Sequence, residues 1–123
     1  PAMNFISGTI ICDDGVKFQS DFNNLHIPLA KIDFEKQIGK KAIIGIRPEY
    51  FTDTYNAPNK LKVKLDVVEQ IVNEVFAHFT LDGKSCISRL KPKSEYSQGS
   101  EISLAVDPLN VMFFDEQTGE RMI

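Results

Sequence analysis

The sequence predicts an all-β, barrel-like domain with at most one or two short helical turns, and three observations carry that expectation. Apolar residues recur with a period of two, the pleat of a half-buried strand. The alternating runs are separated by residue pairs suited to tight reversals. No stretch sustains the 3.6-residue spacing of a long amphipathic helix.

In chain order, the apolar run Thr9-Ile10-Ile11-Cys12 ends at Asp13-Asp14-Gly15, a turn that calls for positive φ. Residues 30–38 can make one or two helical turns before Gly39 stops them. A strand begins near Ala42 and is ended by Pro48, which holds Arg47 extended. A second, shorter helical turn follows through Tyr50 and Phe51. Residues 56–59 (Asn-Ala-Pro-Asn) read as an exposed loop. Residues 60–67 alternate strictly, placing Leu61, Val63, Leu65 and Val67 on one face and Lys60, Lys62 and Lys64 on the other. Val75, Ala77, Phe79 and Leu81 share the inner face of the next run, and Asp82-Gly83-Lys84 turns it. Lys91-Pro92-Lys93-Ser94 is a loop, since proline cannot serve a central strand. Ile102, Leu104 and Val106 mark a later strand, and Thr118-Gly119 a last reversal. Together these make about eight or nine strands in one barrel-like unit.

The 123 residues fit a single domain able to bury roughly two-thirds of its unfolded surface. With 42% hydrophobic and 25% charged residues, the chain is too apolar to be disordered. Nine Phe and three Tyr without a Trp predict a core of Phe, Ile, Leu and Val. The longest uncharged apolar run, residues 42–46, falls far short of the ~20 residues of a membrane span, and no secretory signal pattern opens the chain. The expected setting is therefore the cytoplasm. A formal charge of −3 argues against general nucleic-acid binding. Cys12 and Cys86 both lie in apolar stretches and are expected to be buried, unlinked thiols.

Candidate chemistry is sparse. Gly83-Lys84-Ser85 ends like a phosphate-binding loop, but His78 stands where its first glycine is required. His26 and His78 lack metal partners at ligand spacing. His78 and Cys86 can meet across the Asp82-Gly83 hairpin, though without an acid to orient the histidine. The lysine stripe lacks the interleaved aromatics of a single-strand-binding surface and reads as a solvated face. Arg47 and Glu49, separated by Pro48 in Gly45-Ile46-Arg47-Pro48-Glu49, project from one side of an extended segment. They can pair with each other and pin a corner, or contact a partner domain.

That GIRPE string resembles a hallmark of the C-terminal domain in ATPase subunits of carbohydrate-uptake ABC transporters, the maltose and glycerol-3-phosphate importers among them. The resemblance extends along the chain. Pro1-Ala2-Met3-Asn4-Phe5-Ile6-Ser7-Gly8 is similar to the junction leaving the ATPase domain. Val67-Val68-Glu69-Gln70 with Asn73-Glu74 is similar to V-V-E-x-x-G-x-E. Leu81-Asp82-Gly83 with Arg89, then Gly99 and residues 102–107, match the next hairpin and strand. Phe113-Phe114-Asp115 with Thr118-Gly119-Glu120-Arg121 is similar to the closing F-D-x-x-T-G-x-R. Two positions depart from the pattern. Val72 replaces the usual Gly, and Met112 stands where many relatives carry His. If position 72 needs positive φ, a β-branched residue there is strained.

The resemblance implies an OB-like (TOBE) β-barrel spanning residues 1–123 as a single C-terminal domain excised from a longer ATPase subunit. It implies a regulatory and dimerisation role with no catalytic residue, no metal and no cofactor, ATP and Mg belonging to the absent ATPase domain. The implied partners are a second copy, the chain's own ATPase domain, the permease subunits and, in some relatives, a phosphotransferase-system regulator, but no nucleic acid. The implied place is the cytoplasmic face of the inner membrane. The expected contact residues are Arg47, Pro48 and Glu49, with Glu69 and Arg89 beside them. The rival is a small-oxyanion-binding module using Arg89 and Lys91; a free-standing nucleic-acid-binding barrel is a distant third.

Overall fold

The computed structural model describes residues 3–57 and 60–123; Pro1, Ala2, Pro58 and Asn59 lie outside the described residues, and with them parts of the opening motif and of the 56–59 loop. The described residues form ten strands, every pairing antiparallel. An all-β fold is what the alternation implied, and its OB-like form is what the resemblance implied. The strand count exceeds the expectation because one predicted strand is two and because the three-residue strand His26–Pro28 carries no alternation to read.

Five strands build the larger sheet: β1 (Asn4–Cys12), β2 (Val16–Ser20), β3 (His26–Pro28), β4 (Lys41–Ile46) and β10 (Val111–Asp115), ordered β10-β4-β1-β2-β3. Asn4, Ile6, Gly8 and Ile10 of β1 face inward, the single face that a period of two must bury. Gly8 cannot carry a side chain, because a Cβ there would lie 2.3 Å from the Gln19 carbonyl oxygen and 2.4 Å from the Phe18 ring. Phe113 packs edge-on against Phe34 at 4.9 Å and Phe18 at 6.4 Å between centroids. Phe34 is delivered by α1 (Lys31–Phe34) and a 3-10 turn, Glu35–Gln37, which stop at Gly39 with φ +92°, as expected.

The smaller half pairs β5 (Leu61–Lys64) with β9 (Glu101–Leu104), and orders β6 (Val67–Ile71), β7 (Glu74–Leu81) and β8 (Lys84–Leu90) as β6-β7-β8. The run 60–67 was expected to be one strand, and here the expectation fails. Leu61, Val63 and Leu65 are buried, but Val67 is 51% exposed. The chain changes partners at this point: Leu65 bonds through its backbone to Ser100 and Gly99, whereas the Asp66 N–H donates to the His78 carbonyl. A strand that switches ladders turns its pleat, so the period of two does not survive the corner. Lys60, Lys62 and Lys64 are exposed, as predicted.

One cluster of buried Phe, Ile, Leu, Val and Ala side chains fills the interior. Asn4, 1% exposed, ties the two halves together. Its amide donates to the carbonyls of Ile46 (3.1 Å) and Ile87 (2.8 Å), and its Oδ1 accepts from the Ile87 N–H (2.7 Å). A side chain thereby performs the pairing that backbone performs elsewhere. Cys86 is buried as expected, but Cys12 is exposed, because β1 runs past the edge of the covered core at its last residue. Both thiols are free. The hairpin register sets Phe79 opposite Cys86 and Ile87 opposite His78, so His78 and Cys86 point to opposite faces. No helix among the described residues is long and apolar enough to cross a membrane.

Candidate interdomain contact site

The GIRPE corner begins where β4 leaves the larger sheet. Arg47 is extended, at φ −67° and ψ 149°, the conformation that a following proline favours. Pro48 then opens a 3-10 turn, Pro48–Tyr50. Glu49 therefore does not lie in an extended segment with Arg47, and the expected pair between them does not form. Among the described residues neither makes an ion pair. The corner is pinned by packing instead of charge. Phe51 is fully buried, its ring edge-on to Phe79 at 5.5 Å, and its carbonyl accepts the hydroxyl of the buried Ser88. Arg47 and Glu49 are thus exposed charges on a rigid mount.

Glu69 and Arg89 come together on the outer face of the β6-β7-β8 sheet. Glu69 lies opposite Phe76 and Phe76 opposite Arg89, so the three make one cross-strand row. Each charge leans along its strand to a different neighbour. The Glu69 carboxylate meets His78 Nε2 at 2.5 Å, and Arg89 Nε lies 3.4 Å from Glu74. Such exposed pairs contribute only ~0–1 kcal/mol each.

An open cleft joins the corner to this sheet. Glu49, Glu74 and Arg89 line it with Asp53, Lys91 and Lys93. Its far end is closed by a network that sequence reasoning missed. The Asp53 carboxylate accepts from Lys93 Nζ at 2.9 Å and from the hydroxyl of the buried Tyr96. Burial pushes the Asp53 carboxyl up, but the Tyr96 hydroxyl and the Lys93 ammonium outweigh it and hold it below the ordinary carboxylate range. Burial, reinforced by the Asp53 charge, pushes the Tyr96 phenol well above the ordinary tyrosine value. The hydrogen bond to Asp53 likewise raises Lys93. Three acids face three bases in this cleft, so it offers alternating charge instead of one sign. Among the described residues no group of three or more His, Cys, Asp or Glu side chains is placed to hold a metal ion.

The comparisons with known proteins bear on the fold and on the relatives of the chain. Residues 1–51 match the family model described as the MalK OB fold domain. The sulfoquinovosyl glycerol transport ATP-binding protein SmoE of Agrobacterium fabrum is 34% identical over 100% of this chain and 34% of its own length. The oligosaccharides import ATP-binding protein MsmX of Bacillus subtilis is 30% identical over 99% of this chain and 35% of its own. Over its whole length the chain is similar to ATP-binding subunits of sugar importers, and over residues 1–51 to the MalK OB fold domain. It spans about a third of the length of the curated relatives it matches. Among solved structures, the cytoplasmic molybdate-binding protein ModG superposes with a TM-score of 0.67 over 89% of this chain and 94% of that one. At 14% identity that likeness speaks for the OB-like fold alone.

Proposed function

We propose that this OB-fold domain is the C-terminal regulatory and dimerisation domain of an ATP-binding subunit that drives import of sugars or sugar-like solutes, without catalysis of its own. Its partners are then a second copy, the subunit's own ATPase domain and the permease subunits on the cytoplasmic face of the inner membrane, with a phosphotransferase-type regulator docking in some members. One observation carries the reading: Arg47 and Glu49 stand on a rigid, packed corner, exposed and without an ion-pair partner among the described residues. A charge that pins its own fold is paired and buried; a charge held out on a rigid mount is suited to another surface. The two-fold geometry needs only one self-complementary patch.

Sedimentation equilibrium over a wide concentration range tests this, with Arg47→Ala and Glu49→Ala beside the parent chain. The parent is expected to dimerise weakly, and either substitution to weaken association while changing stability by at most ~1 kcal/mol. A parent that stays monomeric at the highest concentrations, or a variant that loses several kcal/mol of stability, sinks the proposal.

The fold likeness to a molybdate-binding protein supports a second reading, a small-oxyanion module at Arg89 and Lys91. The cleft argues against it, because Arg89 already faces Glu74 and the cleft also holds Glu49 and Asp53. Thermal melts with and without molybdate separate the two, since a ligand of the folded state raises the melting temperature.

A further inference from the structure

Residues 60–74 are polarised along their length. Lys60, Lys62 and Lys64 are the only charges in this segment before Leu65, and Asp66, Glu69 and Glu74 the only ones after it. All six are exposed. The corner at residues 65–66 carries them onto one outward line. Before it the even-numbered positions face out, since Leu61, Val63 and Leu65 are buried. After it the odd-numbered positions do, since Val68 packs against the core while Val67, Glu69 and Ile71 are exposed. The shift of the pleat thus keeps Glu69 on the line that the lysines begin, and Glu74 stands beside Ile71 at its far end.

The two halves differ in how their charges are met within the chain. Among the described residues none of the three lysines makes an ion pair, although Lys64 lies opposite Glu101 in the β5–β9 ladder. The acids are each steadied by a neighbour: Asp66 accepts from the Thr80 hydroxyl at 2.8 Å, Glu69 meets His78, and Glu74 meets Arg89 at 3.4 Å. Lysine is a poor strand residue, so three on one short run serve something other than the strand itself. Between the two charged halves Val67 and Ile71 leave 51% and 52% of their surface to water, apolar area that a contact would cover.

A surface with a basic half and an acidic half along one line is its own electrostatic complement under a two-fold rotation. A partner of uniform charge would meet one half and be repelled by the other. We infer that this face is where two copies of the chain meet, Lys62 and Lys64 of one copy against Asp66 and Glu69 of the other, with Val67 and Ile71 covered between them. The inference rests on the reading that the domain pairs subunits, and it names the surface. That surface continues the contact site already described, because Glu74 also lines the cleft that leads to Glu49.

Paired charge reversals, followed by sedimentation equilibrium, test it. One variant carries Lys62→Glu with Lys64→Glu, the other Asp66→Lys with Glu69→Lys. Each alone sets like charges against each other at both symmetric contacts, and should dimerise at least about tenfold more weakly than the parent. Mixed in equal amounts, the two variants set opposite charges together at both contacts. Dimers of parent-like affinity, one copy of each kind, should then return, which also demonstrates that both variants fold. The parent dimer should weaken as salt is raised to about 1 M. A parent that dimerises while either variant alone does so equally well overturns the inference and leaves the pairing of subunits to another surface. So do weakened variants with parent-like circular dichroism that fail to combine on mixing. The salt series needs no variant: a parent dimer indifferent to salt overturns the inference by itself. A parent that is monomeric throughout overturns the dimer reading, and this inference with it.

Discussion

The two halves of the molecule bury their inner faces equally well but finish their outer edges differently. In the five-stranded sheet, β3 is three residues long and ends in Pro28, while β10 is met by the chain returning at Arg121. Short strands, proline and covering segments are the ordinary ways to close an edge. The three-stranded sheet ends on β6, Val-Val-Glu-Gln-Ile, which has neither lysine nor proline and no strand beyond it among the described residues. Val67, Ile71 and Val72 there are 51%, 52% and 85% exposed. One half is finished as a monomer would finish it. The other leaves apolar surface and open backbone beside the row that carries Glu69 and Arg89.

The sharpest way to break the comparison is to cut the two halves apart. Asn4→Ala removes the side chain that links β1 and β4 to β8 and leaves the Ile87 N–H and carbonyl without that partner. Orphaned buried groups cost about 1–3 kcal/mol each, so a loss of roughly 3 kcal/mol in urea unfolding is expected. An Asn4→Ala chain as stable as the parent would show that apolar contact alone holds the halves together.

A smaller effect is expected at the Asp53–Tyr96 contact. Tyr96→Phe removes a hydrogen bond to an ionised carboxylate and should cost about 1–2 kcal/mol at neutral pH. Its signature lies in the alkaline range. The folded chain holds the phenolic proton to higher pH than the unfolded chain, whose tyrosines titrate near 10. The contribution is therefore complete below about pH 10 and lost as pH rises above it. Melts between neutrality and strong alkali should fall more steeply for the parent than for Tyr96→Phe. Parallel curves would contradict the assignment.

The smallest effect sharpens the account of the open edge. Val72 sits at φ +52°, where a β-branched residue is strained, so the β6–β7 turn keeps the left-handed backbone without its glycine. Val72→Gly relieves that strain but loosens the unfolded chain, for a net gain of about 0.5–1 kcal/mol. A destabilised Val72→Gly chain would mean that the exposed valine packs against something this strain argument omits.

The sequence made strands and turns legible wherever a single ladder ran its length. Val75, Ala77 and Phe79 are buried as their alternation demands, and Asp14, Gly15, Asp82, Gly83 and Gly119 all have positive φ. It misled at Val67 and Cys12, where alternation continues but its cover does not: one lies beyond a change of partner strand, the other beyond the edge of the core. Of the expected contact residues, Arg47, Glu49, Glu69 and Arg89 could be picked out as exposed charges in a family-like pattern. Their pairings could not, since Arg47 and Glu49 stay apart and Glu69 chooses His78. The Asp53–Tyr96 contact joins residues 43 apart through two irregular loops, where no periodicity exists to be read.

The reach of Asn4 also has a consequence in time. Its partner Ile87 lies 83 residues further along, so β1 cannot complete its end while β8 is still unmade. The first hairpins can form locally and early, but this joint must wait for one of the longest loop closures in the chain. Until then the amide of Asn4 and the backbone of Ile87 depend on water, and the interior between them stays open to it. The joint between the two halves therefore closes late, once β1 and β8 are both in place.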